Sequence, residues 1–203
     1  VSRGLGDVYK RQGHGGMLLA PKVTQEIAKT RGIAMHQDCI SPAKHSEFSN
    51  PEELLRFVDK LRKLSRGKPV GIKLCVGHPW EIISIIKTMT TTKKYVDFIT
   101  VDGAEGGTGA APAEFTDHIG CPLKDAIVFV DNALVGANLR DRVKIGASGK
   151  VVSAFDIAHM CALGADWVNM ARPFMFSIGC IQCRSCHTGE CPTGIATMDP
   201  MRY

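Results

Sequence analysis

Short apolar runs alternate along this chain with longer stretches in which apolar residues recur at helical spacing. An unbroken apolar run is typical of a strand covered on both faces, as in a parallel sheet. Such strands are predicted over residues 70–76, 97–101, 143–147 and 167–170, and a shorter strand is predicted over 37–41. The pattern therefore favours a buried sheet over an antiparallel sheet with one solvated face.

Helices are predicted between these strands. The clearest begins after Asn50, which can cap it, and Pro51 suits its first position. Apolar residues then recur on one helical face, at Leu54, Leu55, Val58, Leu61 and Leu64. Further helices are predicted over 23–29, 79–89, 123–139 and 153–163.

Strand and helix alternate in four convincing βα units, which predicts an α/β fold with helices outside a parallel sheet. Glycine-rich and charged residues follow several strands directly. In barrels and doubly wound sheets this carboxyl rim carries the functional groups. Residues 1–12 show no clear period and are expected to be a leader, disordered or not native to this protein. Residues 13–203 are expected to belong to one domain.

The composition and charge of the chain limit the kinds of partner that it is expected to bind. With 44% hydrophobic and 22% charged residues, the chain is typical of a globular protein. Its net charge of +5 is dispersed, without a basic stripe interleaved with aromatic residues, so nucleic acid is not an expected partner. No run approaches the ~20 apolar residues of a membrane span, and no signal peptide is evident. These features predict a cytoplasmic protein with reduced thiols and no membrane partner.

Half of the eight cysteines crowd into one short segment near the C-terminus: Cys180, Cys183, Cys186 and Cys191. Closely spaced thiols in a segment broken by glycine and proline are typical of a metal site or an iron–sulfur cluster. Zinc is the main alternative, because Cys-x-x-Cys pairs are common zinc ligands. His187 is a further candidate ligand or neighbour. The other cysteines are isolated and are expected to be small core residues: Cys39, Cys75, Cys121 and Cys161.

Loops after the predicted strands suit a phosphate or a flat ligand. The loop over 102–112 is rich in small residues and includes Asp102, Gly103, Gly106, Gly107, Thr108 and Gly109. Two later connections, beginning with Ser148-Gly149-Lys150 and Ala171-Arg172, can present backbone N–H groups to phosphate. A flexible surface loop and ordinary turn chemistry are the alternatives.

Lys73 lies inside a predicted buried strand. Its ammonium must reach solvent, a carboxylate or a ligand, because an unpaired buried charge is costly.

The segments over 13–32, 38–45, 102–112, 147–173 and 179–200 together resemble the FMN-binding synthase domain of glutamate synthase. The resemblance implies a (β/α)8 TIM barrel, here incomplete, with the first three or so βα units outside this sequence. Isolated in this form, the residues are expected to leave strand edges unpaired and to bind FMN poorly. The cysteine loop, about 179–195, would carry the cluster.

The resemblance also implies the site residues. FMN would bind at the carboxyl rim, contacted by the candidates named in the loops above and by Lys73, which matches the family's active-site lysine. A 3Fe–4S cluster would be held by Cys180, Cys186 and Cys191, whose spacing C-x5-C-x4-C matches the family pattern. Cys183 departs from that pattern and could complete a 4Fe–4S cluster, bind zinc or stay unligated. The turn at Ala147-Ser148-Gly149 is a second departure.

The implied reaction is reductive synthesis of L-glutamate. Ammonia adds to 2-oxoglutarate to give 2-iminoglutarate, which takes a hydride from reduced FMN. Implied partners are a separate glutaminase and an electron donor, either ferredoxin or an NADPH-oxidising subunit. The alternatives are another FMN-dependent TIM-barrel oxidoreductase and a metal-stabilised relative without catalytic activity.

Overall fold

The computed structural model describes residues 17–40, 45–103, 120–186, 188–197 and 199–202. Within these ranges an antiparallel pair of short strands, β1 and β2, precedes a four-stranded parallel sheet. The strands are β1 (Met17–Leu18), β2 (Cys39–Ile40), β3 (Ile72–Leu74), β4 (Phe98–Asp102), β5 (Lys144–Ser148) and β6 (Trp167–Asn169). The last four lie side by side in chain order, as neighbouring strands do in a (β/α)8 barrel.

A helix follows each strand of the parallel sheet. The helices are a 3-10 turn (Ala20–Lys22), α1 (Gln25–Arg31), α2 (Pro51–Leu64), α3 (Pro79–Thr92), α4 (Leu123–Gly136), α5 (Ala154–Ala162) and α6 (Arg172–Ser177). Among the helices described, none combines the length and apolar character needed to cross a bilayer. The predicted α/β class, with parallel strands as in part of a TIM barrel, is confirmed.

The core lies between the sheet and the helices that pack on it. Ile72, Ile99 and Ile145 are buried at matching positions of β3, β4 and β5. Ile85 of α3 and Ile127 of α4 are fully buried in the same cluster. Each such side chain contributes about 1.5–3 kcal/mol by leaving water. The continuous apolar runs in the sequence thus reflect strands covered by helices.

At the amino edge of the sheet, two carboxylates fasten neighbouring strands together. Asp97 Oδ2 accepts hydrogen bonds from Arg62 Nη2 at 3.0 Å and from the backbone N–H of residue 70 at 2.6 Å. Asp166 Oδ2 accepts one from the backbone N–H of Ile145 at 2.7 Å and lies 3.0 Å from Arg140 Nη2. The first clasp joins the starts of β3 and β4 to α2, and the second joins the starts of β5 and β6 to the α4–β5 connection, at the edge opposite the carboxyl rim.

The structure shifts several predicted boundaries. The helix predicted over 123–139 ends at Gly136, and Asn138 then adopts a left-handed φ of 55°. The helix predicted over 79–89 continues to Thr92 and ends at a left-handed Lys93. The 3-10 turn, β1 and α6 were not predicted from the apolar pattern. The predicted leader over 1–12 lies outside the described residues.

One expectation about the isolated cysteines is wrong. Cys75 is buried, and Cys39 and Cys121 are partly buried, but Cys161 is exposed. It lies on α5 next to Met160, the residue through which that helix enters the core.

Gly103, directly after β4, provides a test of the packing at the carboxyl rim. A Cβ at this position would lie 2.7 Å from Leu123 Cβ and 2.9 Å from the Leu123 backbone nitrogen. We expect Gly103→Ala to lower the free energy of unfolding by about 1–3 kcal/mol, because α4 would have to move. Gly136→Ala, with open space around the added methyl group, is the matched control and should be neutral or slightly stabilising. Equal denaturation midpoints for the two variants would contradict this packing.

The first turn of α5 makes stability depend on pH. Asp156 Oδ2 accepts hydrogen bonds from Ser153 N at 2.9 Å, Ser153 Oγ at 2.9 Å and Val152 N at 3.1 Å. The bond from the Ser153 backbone, and then those from its hydroxyl and from Val152, lower the pKa of Asp156. A carboxyl whose folded pKa is depressed adds stability above its unfolded pKa, and this is lost as pH falls through the folded pKa.

We therefore expect Asp156→Asn to be less stable than the wild type at neutral pH. The gap should close as pH falls below the unfolded value of about 3.9. Urea denaturation of both proteins at a series of pH values measures this difference in stability. A gap that stays constant through this acid range would show that the carboxylate charge is not what stabilises the turn.

Candidate functional site

The carboxyl rim of the parallel sheet opens onto a cavity of about 360 Å³. Parallel strands bring the residues at their carboxyl ends to one edge, so candidates from distant segments meet here. The sequence-predicted residues that line it are Lys73, Asp102, Ser148, Gly149, Lys150, Ala171, Arg172, Cys180, Cys183, Cys186 and Cys191. Gly103 instead packs against the start of α4. The predicted contacts Gly106, Gly107, Thr108 and Gly109 lie outside the described residues.

Lys73 and Asp102 form an ion pair at the cavity wall. Lys73 Nζ lies 3.0 Å from Asp102 Oδ2, and the two side chains are 45% and 10% exposed. The lysine of this otherwise buried strand therefore reaches both a carboxylate and solvent, two of the three outcomes expected from the sequence. An ammonium held on one side by a largely buried carboxylate can donate from its other side to a ligand.

The turn after β5 brings its backbone close to that of β4. Gly103 N donates to the Ser148 carbonyl at 2.9 Å. Gly149 has a φ of 144°, and a Cβ there would lie 3.2 Å from Gly103 N. Lys150 follows in a left-handed conformation, with a φ of 43°. Glycine at 149 is thus required by both its φ and the close approach, and the turn directs the next residues into the cavity.

Basic side chains outnumber acidic ones on the cavity wall. Among its described lining residues, Lys73, Lys150, Arg172 and Arg184 are basic, and Asp102 is acidic. A concave surface with this excess of positive charge attracts anions. Phosphate groups and dicarboxylates are therefore the ligand classes that the wall favours. The backbone N–H groups of Val152 and Ser153, at the start of α5, already donate to Asp156.

The surroundings of Cys191 favour ionisation of its thiol. Its thiol is buried, and its Sγ lies 3.5 Å from the Thr193 hydroxyl. That contact and the backbone N–H groups of Ala196, Thr193 and Ile195 lower the pKa of Cys191 to about 7. The thiolate is the form that binds metals. The buried sulfur of Cys191 is thus favoured as a thiolate.

The remaining thiols of the segment are more accessible. Cys180 and Cys186 are partly buried and Cys183 is exposed. Cys180 Sγ also accepts a hydrogen bond from Gln182 N at 3.4 Å. Four thiols on one cavity are a soft donor set that suits an iron–sulfur cluster or zinc. Within the described ranges, no three His, Cys, Asp or Glu side chains are grouped to hold a single metal ion. His187 is outside those ranges.

Sequence reasoning missed three residues at this site. Asn169 lines the cavity at the end of β6, Thr193 bonds the Cys191 sulfur, and Lys22 bonds the cysteine segment from the far end of the chain. Asn169 could have been found, because it lies one residue before the end of the strand predicted over 167–170. No local signal marks Thr193. Lys22 lies in the first segment of the family resemblance, where no role was assigned to it.

Comparison of this sequence with known proteins identifies its family. The family described as "Conserved region in glutamate synthase" matches residues 10–202. The glutamate synthase large subunit-like protein YerD of Bacillus subtilis is 47% identical over 186 residues, which cover 92% of this chain and 35% of that protein. The archaeal glutamate synthase [NADPH] of Methanocaldococcus jannaschii is 40% identical over 192 residues, covering 94% of this chain and 37% of that protein.

Among solved structures, an L230A mutant flavocytochrome b2 with benzoylformate matches 80% of this chain and 36% of its own chain. The TM-score is 0.44 at 16% identity, and no conclusion about ligand or activity rests on this likeness. The chain spans about a third of the length of the curated relatives that it matches. From the family match and these identities, the chain belongs to the glutamate synthase family.

Proposed function

We propose that this domain catalyses the reductive step of glutamate synthesis, using FMN and an iron–sulfur cluster bound in the cavity. One observation supports the proposal. The Lys73–Asp102 ion pair, the turns that carry Lys150 and Arg172, and the four cysteines all line the same cavity. The family supports glutamate synthesis in general. The cofactors and the details of the reaction are inferred from the cavity residues and the resemblance.

In the overall step, ammonia and 2-oxoglutarate lose water to give 2-iminoglutarate. Its C=N carbon then gains a hydride, equivalent to two electrons and one proton, and its nitrogen gains a further proton to give L-glutamate. When bound, FMN would supply that hydride and the cluster would supply the electrons that restore it. The protein's own contribution is to bind the anions, position them and keep water from hydrolysing the imine.

The basic residues of the cavity wall would bind the anionic groups of FMN and of the substrate. The Ser148-Gly149-Lys150 turn and Arg172 would bind the FMN phosphate, since they surround the carboxyl ends of β5 and β6. Lys73, anchored by Asp102, would donate a hydrogen bond to the substrate or to the flavin ring where negative charge develops. Asp102 would keep the lysine oriented.

The cysteine segment would hold the cluster through Cys180, Cys186 and Cys191. Their thiols share the cavity with the lysine pair, and the low pKa of Cys191, about 7, favours its thiolate near neutral pH. Cys183 lines the same cavity and is the open fourth candidate, which would make the cluster 4Fe–4S. Ammonia and electrons would come from a separate glutaminase and a ferredoxin or NADPH-oxidising partner. The name of the Methanocaldococcus relative, which specifies NADPH, supports the second donor.

A cysteine series tests the cluster. The intact polypeptide that contains this domain is purified without oxygen, and its visible spectrum, iron and acid-labile sulfide are measured. We expect flavin bands with a broad iron–sulfur shoulder. Replacing Cys180, Cys186 or Cys191 with serine should remove most of the iron and sulfide. The Cys183→Ser protein should retain them. Cys161→Ser, at an exposed cysteine of α5, is the control. A colourless wild type that contains zinc would overturn the proposal.

Lys73→Met tests the lysine. Reduced flavin is mixed with 2-oxoglutarate and ammonia, and its reoxidation is followed. We expect the rate to fall by about 10²–10³-fold, the usual cost of losing one donor aimed at developing charge. Flavin content should be largely kept, and Lys87→Met, at an exposed lysine of α3, should behave like the wild type. A Lys73→Met protein with the wild-type rate would remove this residue from the mechanism.

A further inference from the structure

Lys22 joins the start of the described chain to the cysteine segment. Its Nζ donates to the Cys186 carbonyl at 2.5 Å and to the Ala196 carbonyl at 2.8 Å. The two acceptors lie 164 and 174 residues further along the chain. They enclose residues 187–195, the stretch that contains Cys191. One ammonium therefore closes the two ends of the loop that carries two of the proposed cluster ligands.

The backbone of Lys22 is firmly held. Lys22 ends the 3-10 turn, whose first residue, Ala20, donates its N–H to Asp38 Oδ1 at 2.6 Å. The next residue, Val23, is completely buried, and its carbonyl accepts from His36 N at 3.1 Å. The lysine thus extends from a fixed base, so its hydrogen bonds can order the partner loop.

The loop depends on such contacts because it has no regular secondary structure. From residue 180 to 197, the described residues contain turns, a bend and irregular backbone, without helix or strand. Thr197 Oγ1 donates to the Gly189 carbonyl at 2.5 Å, which is a bond within the loop. A Cβ at Gly189 would lie 3.7 Å from Lys22 Cγ, so the lysine side chain runs along the loop backbone. Lys22 thereby ties this loop to the β1–α1 segment.

We infer that Lys22 is a positioning residue for the iron–sulfur cluster of the proposed function. Its ammonium holds the 186–196 loop in the shape that directs Cys186 and Cys191 into the cavity. It also places a positive charge 2.5 Å from the backbone carbonyl of Cys186, one of the proposed ligands. This inference rests on the proposed function and assigns a role to a residue outside the cavity wall.

The charge has its own consequence. A cluster bound by three thiolates is negative, and it becomes more negative when it accepts an electron. A nearby cation stabilises the reduced form more than the oxidised form, so it raises the reduction potential. A neutral tether of the same length would order the loop without this effect. Loop order and charge therefore have separate readouts: the cluster content reports the first and the reduction potential reports the second.

The experiment compares Lys22→Met and Lys22→Arg in the intact polypeptide, purified without oxygen. Methionine has nearly the same length but neither charge nor N–H, whereas arginine keeps both. Lys29→Met, at an exposed lysine of α1, is the control. Iron and acid-labile sulfide per chain, the cluster reduction potential and flavin content are measured for each protein.

We expect Lys22→Met to contain several-fold less iron and sulfide and its remaining cluster to have a lower potential. Lys22→Arg should keep more of the cluster and a potential close to that of the wild type. Flavin content should stay the same in all variants, which shows that the domain is folded. Unchanged cluster content and potential in Lys22→Met would overturn the inference. Equal loss in both variants with no change in potential would overturn its electrostatic part.

A separate readout distinguishes failure of this inference from failure of the proposed function. If the wild type contains no iron or sulfide, the cluster proposal fails. Alkylation of Cys186 and Cys191 is then followed by mass spectrometry in the metal-free proteins. Faster alkylation in Lys22→Met than in the wild type and Lys29→Met would still support Lys22 as the residue that orders the loop. Equal rates would overturn that role as well.

Discussion

The parallel register of β3 to β6 is the constraint on which the rest of the molecule depends. Because four strands run in the same direction and in chain order, their carboxyl ends form one edge. Lys73, Asp102, Ser148 and Asn169, which are far apart in the sequence, become neighbours there. A reversed strand would send its residue to the opposite edge. The cavity is therefore a product of topology first and of individual side chains second.

Two kinds of chemistry meet at this edge. The strands and turns supply positive charge, with one largely buried carboxylate to orient it. The segment after α6 supplies thiols, the most enclosed of which ionises near neutral pH because hydroxyl and amide donors surround its sulfur. Anionic organic ligands suit the first set and soft metals suit the second. Their proximity in one cavity is what makes coupled electron transfer and anion chemistry a coherent proposal.

The sequence predicted the sheet well because strands covered on both faces have a simple, continuous apolar signal. It predicted less well where local backbone geometry decides. The left-handed Lys93 ends α3 without a glycine to mark the position, and α4 ends at Gly136 although its apolar pattern continues to Leu139. The candidate site was predictable where residues follow strands directly, as Asp102 and Ser148 do. Lys22 was not assigned, since a contact across more than 160 residues leaves no trace in local spacing.

The clasps made by Arg62 with Asp97 and by Arg140 with Asp166 lie at the amino edge, away from the cavity. The two ends of the sheet therefore have different roles. One end keeps the strands in register, while the side chains that line the cavity at the other end can change without breaking these clasps. Such a scaffold is well suited to diversification, by natural selection or in the laboratory: the rim can be rebuilt for a different anion while the anchoring carboxylates stay in place.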